Sequence, residues 1–132
     1  YQCAWLDWHR DRYHWAYLLI YRLNNEERGF LMVSEIAVVE IISERVLEFE
    51  AAIKVAVETV LSKSTGFQDY ELLKGIERPN VYTFLVHWDT LEDHTETFRK
   101  SDSFAKWREI IGPFFAHPPV VDHWSHIFSF NG

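Results

Sequence analysis

The chain has 132 residues, 48% of them hydrophobic and 17% aromatic, enough apolar material for one domain with a sizeable core. Charged residues make up 25% and the net charge is -7, which argues against nucleic acid and against an anionic membrane surface, because both are held by clustered Lys and Arg. A single cysteine, Cys3, leaves no internal disulfide to form and fits a reducing, cytoplasmic setting. No apolar run approaches the roughly 20 residues needed to span a bilayer. The run 16–21 is too short, ends at Arg22 and lacks the small-residue cleavage site of a signal peptide.

Residues 1–31 hold Trp5, Trp8 and Trp15 with no clear period, and 24–29 reads as a loop. They are expected to form an extension, either non-native or disordered, outside a domain that occupies 32–132. From Val33 onward the pattern is orderly. The β-branched run 36–42 predicts a strand. Ser43 can cap the helix that follows, in which Val46, Phe49, Ile53, Ala56, Val57, Val60 and Leu61 recur at helical spacing, and Gly66 ends that segment. Strands at 67–74 and 81–88 flank a turn over 75–80 and make a hairpin. Asp89 or Thr90 opens a second helical region that runs to about Ile111, with a break near Ser101, and Gly112-Pro113 stops it. After Pro118-Pro119 a fourth strand is expected over 120–128.

The order β-α-β-β-α-β predicts an α+β fold of the ferredoxin-like βαββαβ kind, a four-stranded antiparallel sheet with both helices on one face. A sheet covered on one side should alternate apolar and polar residues. The third strand does not: Val81, Thr83, Leu85 and His87 face one way, and Tyr82, Phe84, Val86 and Trp88 the other. The face without helices therefore needs a second cover, and a second copy of the sheet is the simplest one, giving a homodimer.

Cys-x-x-Cys, His-Glu-x-x-His, Gly-x-Ser-x-Gly and Gly-rich phosphate loops are all absent, so no Rossmann-type flavin or nicotinamide site is expected. His123 and His126 fall on opposite faces of a strand, poor geometry for a metal, and no metal site is expected. His87 and His94 could meet in space, with Asp122 as a carboxylate nearby. The space between helices and sheet should be lined by Phe84, Trp88, Phe98, Phe104, Trp107, Phe114 and Phe115, and such a mostly apolar pocket suits a small aromatic ligand. Tyr70, Tyr82, His87, His94 and His123 are its polar candidates. His94, on the first turns of the second helix, is the candidate acid or base.

Residues 87–94, HWDTLEDH, then Phe98-Arg99-Lys100-Ser101-Asp102-Ser103-Phe104 and Trp107, and finally 112–116, GPFFA, followed by Pro118-Pro119 and His123, resemble the antibiotic biosynthesis monooxygenase (ABM) domain over 33–128. The resemblance implies a dimeric α/β barrel. It also implies an oxygenase without cofactor that acts on a phenol, quinol or anthrone-like aromatic, with His94 as its histidine. Haem-degrading members of that family use an Asn on the first strand and a His on the second helix. Here the first strand offers Glu35 and Glu40, and the ligand region reads Ala105-Lys106-Trp107-Arg108, so haem is not expected. Two alternatives stay open: a non-catalytic dimer that binds a small ligand, and a cyclase or isomerase that uses the same pocket.

Overall fold

A computed structural model describes residues 32–132; the expectation for residues 1–31 lies outside the described part of the chain. Four strands, β1 (Val33–Glu40), β2 (Phe67–Lys74), β3 (Val81–Trp88) and β4 (Val120–Ser125), form one sheet in the order β2-β3-β1-β4. Both neighbours of β1 run antiparallel to it, and so do β2 and β3. Helix α1 (Val46–Thr59) connects β1 to β2, and α2 (Asp102–Ile111) connects β3 to β4. This is the ferredoxin-like fold, with its helices on one face of the sheet.

The core lies between that face and the helices. Ala37 and Val39 from β1, Ile41 just after it, and Tyr82, Phe84, Val86 and Trp88 from β3 are buried there against Phe49, Ile53 and Ala56 of α1 and Trp107 and Ile111 of α2. Strand parity explains the selection: every second residue of β3 is buried, and its neighbours are only half so. The opposite face carries Val38, Leu73, Val120 and Trp124, exposed by 40%, 47%, 63% and 55%. It is as apolar as the sequence indicated, and no element of residues 32–132 covers it.

Three boundaries differ from expectation. β1 starts at Val33 rather than at the β-branched run, because Val33, Ser34 and Glu35 are paired on both sides, to Trp88, His87 and Val86 of β3 and to Ser125, Trp124 and His123 of β4. Tertiary pairing overrides weak strand propensity here. β4 ends at Ser125, opposite Val33, since β1 offers no residue beyond that point. Ser43 makes no capping hydrogen bond; it begins a 3-10 turn (Ser43–Arg45) that leads into α1.

The second helical region divides as expected near Ser101, whose hydroxyl accepts from the Phe104 amide at 3.3 Å and caps α2. Ahead of the break lies a π-helical turn, Asp93–Phe98. Thr90 Oγ1 accepts from the Asp93 amide at 3.1 Å and anchors its start. Gly66 sits against the same point. Its φ of 79° is in the left-handed region, its carbonyl accepts from the Asp89 amide at 2.7 Å, and a Cβ there would collide with the Asp93 side chain. Gly66→Ala is therefore expected to lose about 1–2 kcal/mol from backbone strain, with displacement of Asp93 adding to it. Urea unfolding of the variant beside the native chain measures the loss.

Candidate active site

Glu35 is the one carboxylate on the helix-covered face of β1, at the same parity as Ala37 and Val39, and it is 8% exposed. Its Oε1 accepts from Trp88 Nε1 at 2.9 Å. The same oxygen lies 3.2 Å from His94 Nε2. His94 in turn places Nδ1 2.7 Å from Nε2 of His123, the residue of β4 opposite Glu35 in register. Trp88 also stacks on the His94 imidazole, with ring centroids 5.1 Å apart and 22° between planes.

Burial governs the protonation of this group. Removal from water pushes the Glu35 carboxyl from its ordinary 4.5 up to about 7, against the downward pull of the Trp88 hydrogen bond and of the Arg99 charge. Removal from water drives His94 from 6.5 down to about 3, and Arg99 and His123 push the same way. His123 is lowered by burial first and Arg99 second, with Asp122 opposing. Below about pH 7 the contact therefore joins a carboxylic acid and a neutral imidazole 3.2 Å apart rather than an ion pair. The desolvation cost of two buried charges outweighs their attraction.

Glu35 and His94 form part of the wall of a cavity of about 410 Å³ between the sheet and the second helical region. Ala37, Phe84, Phe98, Phe104, Trp107 and Phe115 supply its apolar surface, and Arg99 stands at it as a guanidinium. An adjoining cavity of about 530 Å³ shares Phe104, Trp107, Phe115 and Pro119 with the first. The π turn positions Arg99. Its amide bonds back five residues to the His94 carbonyl at 3.1 Å, so the wider turn returns the chain beneath His94 and leaves Arg99 on the cavity side.

Of the residues singled out from sequence, His94, Phe84, Phe98, Phe104 and Trp107 meet at this cavity. Trp88 lies behind it, holding Glu35 and His94. His123 touches His94 and is not among the lining residues. Tyr70 packs its ring 5.7 Å from Phe84; its hydroxyl is buried with no partner among the described residues, and burial and the Glu35 charge hold it protonated. Tyr82 directs its hydroxyl away, donating to Glu50 at 3.1 Å. His87 and His94 do not meet, because adjacent strand positions point to opposite faces: His87 pairs with Asp69 on the bare face. Asp122 shares that parity, one position before the inward-facing His123. Among the described residues no cluster of three or more His, Cys, Asp or Glu is placed to hold a metal ion, and no helix is long and apolar enough to cross a membrane.

Sequence reasoning missed Glu35 and Arg99. The signal for Glu35 was available: a lone carboxylate at core parity in an apolar strand must find a partner or lose its charge. Arg99 gave none, since the wide turn that directs it is not written in the apolar period.

The described domain is thus ferredoxin-like, with a buried carboxyl–imidazole contact in the wall of an aromatic-lined cavity. The family model for antibiotic biosynthesis monooxygenase, ABM, matches residues 32–110. YczJ of Bacillus subtilis strain 168, an uncharacterized protein, is 35% identical over 96 residues, 73% of this chain and 100% of YczJ. A crystal structure described as an antibiotic biosynthesis monooxygenase from Bordetella bronchiseptica is 34% identical with a TM-score of 0.70, covering 74% of this chain and 98% of that one. A mutant of SnoaB, a cofactor-independent oxygenase from Streptomyces nogalater, shares the fold at 12% identity, with a TM-score of 0.64 over 77% of this chain and 99% of SnoaB. The chain belongs to the antibiotic biosynthesis monooxygenase family.

The protonation of Glu35 has a consequence for stability. Between pH 4.5 and about 7 the folded chain keeps a proton that the unfolded chain has released, so Glu35 subtracts stability as pH rises through that window. Glu35→Gln keeps a partner for Trp88 and His94 and removes the titration. Relative to the native chain it should gain stability from pH 4.5 to 7, up to about 3 kcal/mol, and hold the gain above. Urea unfolding at pH 4.5 and pH 8 checks this; an equal difference at both values refutes a neutral Glu35.

Proposed function

We propose that this chain is a cofactor-independent monooxygenase acting on a small phenolic aromatic, a phenol, quinol or anthrone-like compound, with Glu35 and His94 as its base. The observation that carries this reading is the buried Glu35–His94 pair set into the wall of a cavity with aromatic sides. A planar substrate stacks among Phe84, Phe98, Phe104 and Trp107. Its acidic O–H or C–H proton passes to the free oxygen of Glu35, Oε2, which accepts no hydrogen bond among the described residues. The Arg99 guanidinium favours the resulting anion electrostatically.

The anion then supplies the electrons. It gives one electron to dioxygen, and the two radicals join in a carbon–oxygen bond, leaving a hydroperoxide once a proton returns. Loss of the proton on the oxygenated carbon breaks the O–O bond, forms C=O and releases water. Phenol plus dioxygen gives quinone plus water, so the substrate provides all four electrons and no other reductant is needed. The protein contributes orientation, a proton acceptor and a water-poor site.

The test is oxygen uptake with a panel of hydroquinones and anthrones. The native chain should consume one dioxygen per quinone formed. His94→Ala and Glu35→Gln should each cut turnover about 10²-fold or more, and the rate should rise with pH through about 7, where Glu35 ionises. Turnover that persists without dioxygen would favour an isomerase or cyclase at the same cavity, and binding without turnover would favour a ligand carrier.

A homodimer joined through the bare sheet face is part of this proposal. That face exposes Val38 and Val120 as partners across the β1–β4 pair, with Leu73 and Trp124 on the same side. An apolar patch of this kind is what a symmetric partner would bury. Light scattering at micromolar concentration should return twice the chain mass, and Val38→Asp should return one chain mass while the circular dichroism spectrum stays unchanged.

A further inference from the structure

A line of side chains in close polar contact leads away from the cavity wall toward solvent. Glu35, 8% exposed, contacts the 4% exposed His94 at 3.2 Å, and His94 contacts the half-buried His123 at 2.7 Å. His94 uses both ring nitrogens in this line, Nε2 toward Glu35 and Nδ1 toward His123. A ring bonded through one nitrogen can only store a proton, whereas a ring bonded through both can take one in and give one out. Trp88, the other partner of Glu35 Oε1, is a donor that has no site for an incoming proton. Among the described residues, the polar contacts of the pair therefore lead outward only through His123. His123 lies off the cavity, so contact with substrate does not account for its place.

We propose that Glu35, His94 and His123 form a proton relay between the cavity and solvent, with His123 as its outer terminus. The inference rests on the reading of the cavity as a site of proton abstraction. The transfer balances with no net charge left behind. The ionised Glu35 carboxylate takes up the substrate proton and hands one from Oε1 to His94 Nε2. The His94 Nδ1 proton crosses to His123 Nε2, and the His123 Nδ1 proton leaves to water. Run in reverse, the same line returns a proton for the hydroperoxide and water-forming steps. Arg99 bears on all three groups from the π turn, and Asp122 bears on His123 from β4. His123 is thus a positioning and shuttling residue rather than a catalytic one.

Two measurements test the relay. The first needs no substrate: nitrogen NMR of histidine-labelled protein at pH 7 should show His94 protonated on Nδ1, and His123→Phe should shift both His94 ring nitrogens. Resonances that do not respond would overturn the connection. The second uses His123→Gln, whose side-chain oxygen can accept from His94 Nδ1 but cannot pass a proton on. With a hydroquinone as probe, its turnover should fall about tenfold with KM unchanged, and added imidazole should restore it. Native turnover in this variant, or a loss that imidazole does not repair, would overturn the relay. If the native chain oxygenates none of the probes, the oxygenase reading fails by itself, and the NMR result still decides whether the line of three exists.

Discussion

A carboxylic acid is held inside the apolar layer between sheet and helices, and satisfying it ties together elements far apart in the chain. Glu35 on β1 accepts from Trp88 at the end of β3 and meets His94 on the π turn, which in turn meets His123 on β4. An unpartnered polar group at that depth would cost several kcal/mol on hydrocarbon-transfer scales. These contacts therefore constrain the register of three strands and the seating of the π turn at once. The same burial keeps the acid protonated up to about pH 7 and the imidazole uncharged, so removal from water sets both the packing and the acid–base character of the pair.

The fold meets this constraint with short-range devices. Gly66 takes a positive φ so that its backbone can close on Asp93, the residue before His94. Thr90 anchors the start of the π turn and Ser101 caps the helix after it. Between these anchors the turn is wound one residue wider than an α-helix, which sends His94 and Phe98 inward and keeps Arg99 at the cavity. A π turn is a costly conformation that persists where function or packing over-determines it; here it brings a guanidinium beside the acid and the imidazole.

The sheet serves two environments. Its helix-covered face is filled by aromatics that also wall the cavity: Phe84 packs edge-on against Trp107, and Phe98 against Phe104. The other face keeps Val38, Leu73, Val120 and Trp124 in the open. Strand alternation makes the two faces independent, so a substitution on one side leaves the side chains of the other in place.

Much of the fold was legible along the chain because local periods report it. The alternation in β3, the helical spacing from Val46 to Leu61 and the punctuation at Gly66, Ser101 and Gly112 set the βαββαβ order and its helix-covered face, and the aromatic lining of the cavity followed from the same parity. His94 stood out because an imidazole at the start of a helix laid over a sheet can point into the space between them, and imidazole titrates near neutral pH. The pairing of Glu35 with His94 was not legible, nor was the place of His123 behind the cavity or of Arg99 at it. Those depend on which strands are neighbours, on the register that sets Glu35 opposite His123, and on a turn bonded five residues back. The extra length of β1 and the early end of β4 have the same origin. Local sequence determines which face a side chain takes; the protonation and partners of a buried acid are decided by what the rest of the chain brings within about 3 Å of it, and only the tertiary structure does that.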